Sequence, residues 1–412
     1  MFFIYNLLAV FSEFILKIIA LINPKIKLFM DGQSNSFGIL KAKIKAYDKM
    51  IWFHAASLGE YEQGLPLMEK IRSKYPNHLI VLTFFSPSGY EIRKNNGVAD
   101  VTVYLPLDTK SNVKQFMEIV RPEMVFFIKY EYWPNYLNAL KISETPTYLV
   151  SGIFRENQAF FKWYGGFYRK GLDAFEHFFV QNSTSKELAL TLGKSNVTVS
   201  GDTRFDRVAA ILERDNDLDY ISEFKNNTLT IVVGSSWPKD ESLLVDFINS
   251  TSVPLKFIIA PHNIQPDQIL ELKNSITKKC VLFSENSSTS LAEFDVFIID
   301  VVGILTKIYS YADIAYVGGG FGNPGVHNIL EPATFGVPII IGPNFSHFAE
   351  ATALVNMGGC VSISDKGSLF DILEILINNE DIRNEKGHIC STFVEMNKGA
   401  TAIVMNYLGN KY

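Results

Sequence analysis

The sequence predicts an α/β protein with two Rossmann-like domains, whose parallel sheets face each other across a cleft, and with a hydrophobic helix at the N-terminus. Two observations support this fold class. Short apolar runs without polar alternation recur along the chain, and ten or more residues of helical character follow each of them. Such runs predict strands buried on both faces, as in a parallel sheet covered by helices. A polar stretch at residues 213–227 interrupts the pattern once, after which it restarts.

Fourteen strands are predicted, seven on each side of the interruption. The first seven are residues 51–55, 79–85, 101–105, 124–128, 147–150, 178–180 and 197–200. The second seven are residues 229–233, 256–260, 281–283, 296–299, 314–317, 337–341 and 361–363. Two such halves fit a chain of 412 residues, which is long enough for two domains of ordinary size.

The domain boundaries follow from the same pattern. We expect a membrane-associating helix at 1–24, an N-terminal domain at 25–212, a linker at 213–227, a C-terminal domain at 228–390, and a terminal helix at 391–412 that crosses back to the N-terminal domain. The net charge of −5 excludes a generally basic nucleic-acid-binding protein. Cys280, Cys360 and Cys390 have neither disulfide nor zinc spacing, which fits a reducing compartment.

The first 24 residues are almost entirely apolar, but Asn6, Glu13 and Lys17 fall on one face of the helix that they form. This polar stripe favours a helix lying in a membrane interface over one that spans the bilayer, although the segment is long enough for a single span. A helix packed on its own domain is the remaining alternative. Six lysines follow and would attract anionic headgroups: Lys25, Lys27, Lys41, Lys43, Lys45 and Lys49.

A glycine-rich unit at residues 316–343 predicts a phosphate site. A buried strand leads into glycines, then into a helix at 327–335 whose first turn carries Asn328 and Glu331, so free N–H groups would face an anion. The segment 320–325 also matches the dinucleotide fingerprint, but the acid required after the second strand is missing there. An acid within the helix, Glu331, suits the ribose of a nucleotide sugar instead. The alternative is a tight turn in which Glu331 only stabilises the helix dipole.

Three charged residues in the N-terminal half are candidates for chemistry. Glu60 follows the first strand at the sheet edge where catalytic groups gather, and it could take the proton of an attacking hydroxyl. Glu131 follows the fourth strand, and Arg204 offers a cation where a departing phosphate would lie. The alternatives are a Glu60 that merely favours the helix dipole and an Arg204 in a surface ion pair.

Polar turns of the C-terminal half supply further candidates. Ser235 and Ser236 end its first strand, and Pro261 and His262 end its second, so both turns could hydrogen-bond a nucleotide. His262 could equally be an ordinary loop histidine. The acidic residues of the interruption, around Asp217, resemble a D-x-D metal motif, but their polar context indicates charged surface.

Five ordered motifs resemble one family, the 3-deoxy-D-manno-octulosonic acid (Kdo) transferases of lipopolysaccharide synthesis: FHAASLGE, YEYWPN, GDTRFD, GSSWPKDE and VGGGFGNPGVHNILEP. The resemblance runs from the N-terminus through residue 351. It implies a GT-B fold, CMP-Kdo as donor substrate, a lipid A precursor such as lipid IVA as acceptor, and no cofactor or bound metal. It also implies attachment to the cytoplasmic face of the bacterial inner membrane, by the N-terminal helix or peripherally.

The resemblance also implies roles for individual residues. Glu60 would be the general base, with Glu131 and Arg204 stabilising charge at the reacting centre. The residues that would hold CMP are Pro261, His262, Gly303, Ile304, Leu305, Asn328, Ile329, Leu330 and Glu331. Additional candidate contacts of the donor are Ser235, Ser236, Gly319 and Gly320.

The chain departs from the family pattern at four places. Lys129 stands where a first acid is common, and Arg204 stands where a lysine is common. The Pro-Arg-His segment is Pro261-His262-Asn263 here, and a Gly-Glu pair is Gly303-Ile304, so two CMP contacts would come from the backbone or from other residues. Two alternatives remain open. One is another GT-B transferase that uses a UDP-sugar, such as a lipid A disaccharide synthase, and the other, from a different class, is a non-catalytic scaffold that binds nucleotide or lipid.

Overall fold

The computed structural model describes residues 2–285 and 290–411, so the first and last residues of the predicted end segments lie outside the described residues. The described chain forms two compact units, one of Met1–Arg207 with Lys398–Tyr412 and the other of Val208–Asn397. Each unit contains a seven-stranded sheet in which every strand pair is parallel. The predicted fold class is confirmed in this respect.

The first unit contains strands β1 to β7 in the spatial order β3-β2-β1-β4-β5-β6-β7. The strands are β1 Met50–His54, β2 Leu79–Phe84, β3 Val101–Tyr104, β4 Met124–Ile128, β5 Thr147–Gly152, β6 His177–Val180 and β7 Val197–Val199. The helices are α1 Phe2–Ile19, α2 Pro24–Lys43, α3 Leu58–Lys74, α4 Pro87–Arg93, α5 Lys110–Val120, α6 Pro134–Ile142, α7 Gly166–Gly171, α8 Ser183–Thr191 and α9 Thr203–Ala209, whose last two residues belong to the second unit. Alternate residues of the central strands enter separate hydrophobic clusters, Trp52 in one and Phe53 in the other. Both faces of these strands are therefore buried, which is why their sequences do not alternate between apolar and polar residues.

The second unit repeats the plan with the order β10-β11-β9-β8-β12-β13-β14. The strands are β8 Thr230–Ser236, β9 Lys256–Pro261, β10 Cys280–Leu282, β11 Val296–Ile298, β12 Ile314–Val317, β13 Ile339–Ile341 and β14 Cys360–Ser362. The helices are α10 Asp219–Lys225, α11 Pro238–Ser250, α12 Pro266–Ser275, α13 Leu305–Ile308, α14 Leu330–Thr334, α15 Ala349–Met357, α16 Lys366–Asn378 and α17 Glu380–Asn397. In both sheets the order reverses beside the first strand, which creates the switch point where α/β folds bind ligands.

The chain passes between the units at other positions than those we expected. The stretch expected as a linker contains α10, whose Ile221 and Phe224 are fully buried under a polar outer face. At the C-terminus α17 belongs to the second unit, and a separate helix α18, Ala400–Lys411, returns to the first. Asp206 accepts hydrogen bonds from the amides of Gly399 and Thr401 and so fixes the start of α18.

Helix α1 contacts the rest of the first unit through Tyr5 and Asn6 and exposes its apolar side. The Tyr5 hydroxyl donates to Asp108 (2.6 Å), and the Asn135 amide donates to Asn6 (3.0 Å). No residue of α1 is buried. The large side chains on its outer face are exposed: Phe3, Ile4, Leu7, Leu8, Val10, Phe11, Phe14, Ile15 and Ile18. By length and composition α1 could cross a membrane, and no other helix in the described part of the chain meets that test.

Candidate active site

Glu60 lies at the N-terminus of α3, directly after the loop that follows β1. Ser57 caps the helix, and the Glu60 carboxylate returns to accept a hydrogen bond from the Ser57 amide (3.1 Å), which completes a capping box. Glu60 therefore does stabilise the start of α3, as the alternative without a catalytic role predicts. Yet Glu60 is only 4% exposed, and a capping carboxylate ordinarily stays in water.

Burial changes the acidity of Glu60. Desolvation and then the neighbouring Glu131 raise the pKa of Glu60 to about 7, while amide hydrogen bonds from Ala56 and Ser57 and the charge of Lys129 act in the opposite direction. A carboxyl group whose pKa lies near neutrality is suited to accept a proton at physiological pH. Capping and proton transfer are thus compatible roles for the same side chain.

Glu131 lies in the turn between β4 and α6 and is 9% exposed. Its Oε2 accepts a hydrogen bond from the Trp133 indole (2.9 Å) and lies 3.3 Å from Nε2 of His54. His54 is completely buried at the end of β1, and sequence reasoning did not select it. The available signal was a histidine at the end of an otherwise apolar strand, where a polar side chain needs a partner.

Lys129 begins the Glu131 turn with a left-handed backbone, φ 71°. Its charge lowers the pKa of Glu60, so it offsets part of the effect of burial and of Glu131. The residue that departs from the family pattern is therefore electrostatically linked to the candidate base. A cation at this position reduces the repulsion between two buried carboxylates.

Arg204 is held in the first turn of α9 by Asp202, whose Oδ2 accepts from the Arg204 Nε (2.9 Å) and lies 2.8 Å from its Nη2. Asp202 is buried and also accepts from Gln63 on α3 (3.0 Å). Because α3 also carries Glu60, Asp202 and Gln63 connect Arg204 by hydrogen bonds to the helix of the candidate base. Asp202 and Gln63 escaped sequence reasoning, which had only a G-D-T-R string to consider.

The glycine turn of the second unit is densely packed. A Cβ on Gly318 would lie 2.4 Å from the Ser235 carbonyl, and one on Gly320 would lie 2.7 Å from the Gly342 backbone. Several amides that we expected to be free donate within the fold, those of Gly318, Gly319, Gly322, Gly325, Val326 and His327. Helix α14 begins at Leu330 rather than at residue 327, and it is only five residues long. Glycines are therefore required here because neighbouring backbone segments approach closely. The expectation of a helix N-terminus with free donors at residue 327 is wrong.

Glu331 joins two of the segments predicted to bind the donor. The hydroxyl of Thr306 donates to one of its oxygens (2.8 Å), and the side-chain amide of Asn328 donates to the other (2.9 Å). Thr306 follows Gly303, Ile304 and Leu305 directly, so both segments meet at this carboxylate. Gly303 has φ 97°, which explains why a glycine occurs there.

Three rings form a compact group beside the glycine turn. The Trp237 indole donates to Nε2 of His327 (2.8 Å), and His262 stacks over both rings with centroid distances of 4.8 and 4.4 Å. Burial and the proximity of His262 lower the pKa of His327 to about 4. His327 is therefore neutral, with its proton on Nδ1 because Nε2 accepts. Trp237 was not among the predicted site residues, although it follows Ser235 and Ser236 in the chain.

Asp240 connects these loops and was also missed. It is fully buried in the first turn of α11 and accepts from the Trp237 amide (2.9 Å), the Tyr316 hydroxyl (2.8 Å) and the Gly319 amide (2.9 Å). Ser236 donates to Glu241 (2.8 Å) and accepts at its carbonyl from the His262 amide, which follows Pro261. The predicted donor residues at the ends of β8, β9 and β12 are thus brought together.

Comparison with known proteins shows which family this chain resembles. The family model for 3-deoxy-D-manno-octulosonic-acid transferase (kdotransferase) matches residues 32–207. The 3-deoxy-D-manno-octulosonic acid transferase of Aquifex aeolicus is 31% identical over 308 residues, covering 74% of this chain and 78% of its own. The enzyme of the same name from Chlamydophila psittaci is 29% identical, with 84% and 82% covered.

The chain belongs to the Kdo transferase family. It is therefore a glycosyltransferase that transfers Kdo in lipopolysaccharide synthesis, as the motifs indicated. The fold is shared more widely: the UDP-GlcNAc 2-epimerase of Neisseria meningitidis superposes with a TM-score of 0.62 at 12% identity, covering 88% of this chain and 100% of that one. Similarity at that level of identity concerns the fold alone.

Proposed function

We propose that this Kdo transferase moves Kdo from CMP-Kdo to a hydroxyl of a lipid A precursor of the lipid IVA type and releases CMP. The observation that carries the proposal is Glu60, a buried carboxyl at the carboxyl edge of the first sheet whose pKa is raised to about 7. The hydroxyl that attacks the sugar must lose its proton during the transfer, and a base with this pKa is half ionised at neutral pH and so able to accept it.

In the proposed reaction Glu60 takes the proton of the acceptor hydroxyl as the oxygen attacks the anomeric carbon from the side opposite CMP. Inversion follows from this single displacement. Glu131 lies near enough to Glu60 to raise the pKa of Glu60. In this proposal the Glu131 carboxylate stabilises the positive charge that develops on the sugar. Arg204, fixed by Asp202, supplies a cation for the anionic substrate groups.

The second unit supplies the donor site in this proposal. Glu331, held by Thr306 and Asn328, would accept a hydrogen bond from a ribose hydroxyl of CMP. The Trp237, His262 and His327 rings offer flat surfaces for a base and a neutral N–H donor, Nδ1 of His327. Ser235, Ser236 and Pro261 would supply further contacts with the donor. We assign Gly319 and Gly320 a structural role, because backbone atoms or His327 fill the space that a Cβ would need at these positions.

We further propose that the first unit docks on the cytoplasmic face of the bacterial inner membrane with the outer face of α1. A second contact would be the turn before α7, where Trp163 is 93% exposed between Lys162 and Tyr164. Arg169 fixes this turn by donating to the Phe160 carbonyl (2.8 Å). The rings of Phe2 in α1 and Phe167 in α7 lie 5.4 Å apart, so the helix that follows this turn adjoins the start of α1. An indole beside lysine and tyrosine suits the headgroup level of a bilayer.

The test of the function compares donors and acceptors directly. Purified full-length protein is incubated with lipid IVA and either CMP-Kdo or UDP-N-acetylglucosamine, and the lipid products are read by mass spectrometry. We expect Kdo-modified lipid only with CMP-Kdo, and we expect CMP rather than UDP to bind in calorimetry. Transfer from the UDP-sugar would establish the UDP-sugar alternative, and nucleotide binding without any transfer would favour a scaffold.

A further inference from the structure

A large open cavity lies in the first unit, and no step of the reaction described so far uses it. Its volume is about 1150 Å³, whereas sites for small molecules measure about 300 to 1,000 Å³. The residues that line it come from α1, from α6 and the turn before it, and from α7 and the residue pair after it. A concave space of this size is a candidate binding site.

The walls of this cavity are largely aromatic and aliphatic. Leu137 and Ile142 line it from α6, and Phe167 lines it from α7. The Ile142 side chain is 76% exposed, so it presents apolar surface to water unless a ligand covers it. Charged side chains also take part in the lining, and two of them, Lys141 and Asp173, form an ion pair (3.1 Å). An amphipathic molecule, apolar over most of its length with a polar end, fits such a lining.

The cavity extends between two parts of the first unit that have proposed roles. Phe2 lines it and belongs to α1, whose exposed apolar face is the proposed membrane contact. Tyr132 also lines it and directly follows Glu131 in the chain. A ligand in this cavity can therefore keep its apolar part beside α1 while its polar end lies near the Glu131 turn.

Tyr132 offers this ligand an unused hydrogen-bond donor. Its hydroxyl oxygen is buried and has no hydrogen-bond partner in the described part of the chain. Burial, and then the charge of Glu131, raise the pKa of Tyr132, so the hydroxyl keeps its proton and can donate it. A buried donor without an acceptor is unfavourable, and an ester or amide carbonyl would satisfy it. Every acyl chain of a glycolipid begins at such a carbonyl.

We propose that this cavity binds an acyl chain of the lipid acceptor, with the first carbonyl of the chain at Tyr132 and the rest of the chain between α6 and α7. The sugar that carries this chain then lies beside the Glu131 turn. The inference rests on the proposed transfer to a lipid A precursor. A membrane phospholipid has similar chains, but it has no sugar hydroxyl to present there, so the position of the cavity favours the acceptor as the occupant.

The first experiment observes binding without using activity. Full-length protein is bound to phospholipid nanodiscs that contain a trace of lipid IVA with a photoreactive diazirine in one acyl chain, and no donor is added. After illumination, mass spectrometry should find the label on peptides of α6 and α7. The same diazirine placed in phosphatidylethanolamine should label α1 but not these two helices. Equal labelling of α6 and α7 by phosphatidylethanolamine, or no labelling of them by lipid IVA, overturns the inference.

A residue of α7 allows the cavity to be filled without straining the backbone. Gly171 has a helical conformation, φ −63°, and a Cβ there would lie 3.5 Å from Cδ1 of Leu137, an ordinary contact. In Gly171→Leu we expect the label on α6 and α7 to be lost. The KM for lipid IVA should rise about tenfold, the effect of leaving about two methylene groups in water, while kcat and the KM for CMP-Kdo stay unchanged. The matched control is Gly171→Ala, which should remain close to wild type.

Two other variants test the walls at separate points. Ile142→Glu, which places a charge in the cavity lining, should also raise the KM for lipid IVA. Its control is Leu190→Glu on α8, because Leu190 is a 47% exposed aliphatic residue that does not line the cavity. Tyr132→Phe retains the ring and should raise the same KM about threefold to tenfold, since one hydrogen bond to the ligand is lost.

An acceptor with the same sugars and short acyl chains separates the failures. Wild type should prefer lipid IVA to this analogue in kcat/KM, and Gly171→Leu should reduce the preference about tenfold. An unchanged preference, or an equal loss of transfer to both acceptors, overturns the inference. If Gly171→Leu does not fold, Ile142→Glu and Leu190→Glu provide the same comparison. A wild-type protein that transfers Kdo to neither acceptor would instead contradict the proposed function, and the labelling experiment would still decide whether the cavity binds the acyl chain.

Discussion

Replacing Glu60 with glutamine should abolish transfer and at the same time stabilise the fold. The pKa of Glu60 is raised from an ordinary 4.5 to about 7, and one pKa unit corresponds to about 1.4 kcal/mol. The ionised carboxylate therefore costs the folded state about 3 kcal/mol above pH 7. The sign follows from linkage: the folded state binds the proton more tightly, so stability falls as pH rises from 4.5 to 7. A glutamine keeps the size of the side chain and can still accept from the Ser57 amide, but it carries no charge.

The assay pairs unfolding with turnover. Denaturant unfolding of wild type and Glu60→Gln at pH 5 and pH 8 should show a small difference at pH 5 and a stabilisation of the variant approaching 3 kcal/mol at pH 8, a value set by the shift in pKa. In the wild type kcat/KM should rise with pH through a limb near 7, because the base acts only when ionised. CMP binding should be unchanged. A variant that keeps near wild-type turnover, or that is equally stable relative to wild type at both pH values, would refute the assignment of Glu60 as a desolvated general base.

Three further outcomes are expected. Glu331→Ala should weaken CMP in titration calorimetry by about 1 to 3 kcal/mol, since a ribose hydroxyl loses its acceptor. Replacing Leu7, Phe11 and Phe14 with serine should reduce pelleting with anionic vesicles and transfer to lipid acceptor while CMP binding persists, because the apolar face of α1 is lost but Tyr5 and Asn6 stay in place. Asp206→Ala should lower the free energy of unfolding by about 1 to 3 kcal/mol, since two amides at the start of α18 lose their acceptor.

Each of these predictions has a contradicting outcome or a comparison variant. Unchanged CMP affinity in Glu331→Ala would remove Glu331 from the donor site. For the membrane, deletion of residues 1–22 is the harsher variant, because it also removes the Tyr5 partner of Asp108; full transfer by the deleted chain would mean that docking uses another surface. High salt should weaken attachment only in part, since it screens the lysines but not the apolar contact. For α18, Asp206→Asn retains one acceptor oxygen and should lose less stability than alanine.

Local sequence predicted the elements of the fold well, and the reason is visible in particular strands. Residues of β1 and β4 are buried on both faces, so their apolar runs appear without alternation, and all fourteen predicted strands occur within a few residues of their expected positions. The predictions failed where a short polar segment concealed buried residues. In α10 only Ile221 and Phe224 face inward, and that pattern is too brief to distinguish from a linker.

The candidate site divides in the same way. The sequence by itself determined the family, because Glu60, Glu131, Arg204 and Glu331 belong to motifs whose order along the chain is specific. It could not reveal which way α1 faces, or the partners His54, Asp202 and Asp240, because these depend on contacts between residues far apart in the chain. Gln63 contacts Asp202, which is 139 residues away in the sequence, and His54 contacts Glu131, which is 77 residues away. Only the packed structure brings such groups within hydrogen-bond distance, and only there does burial raise the pKa of Glu60, because desolvation acts on a carboxylate only once water has been excluded.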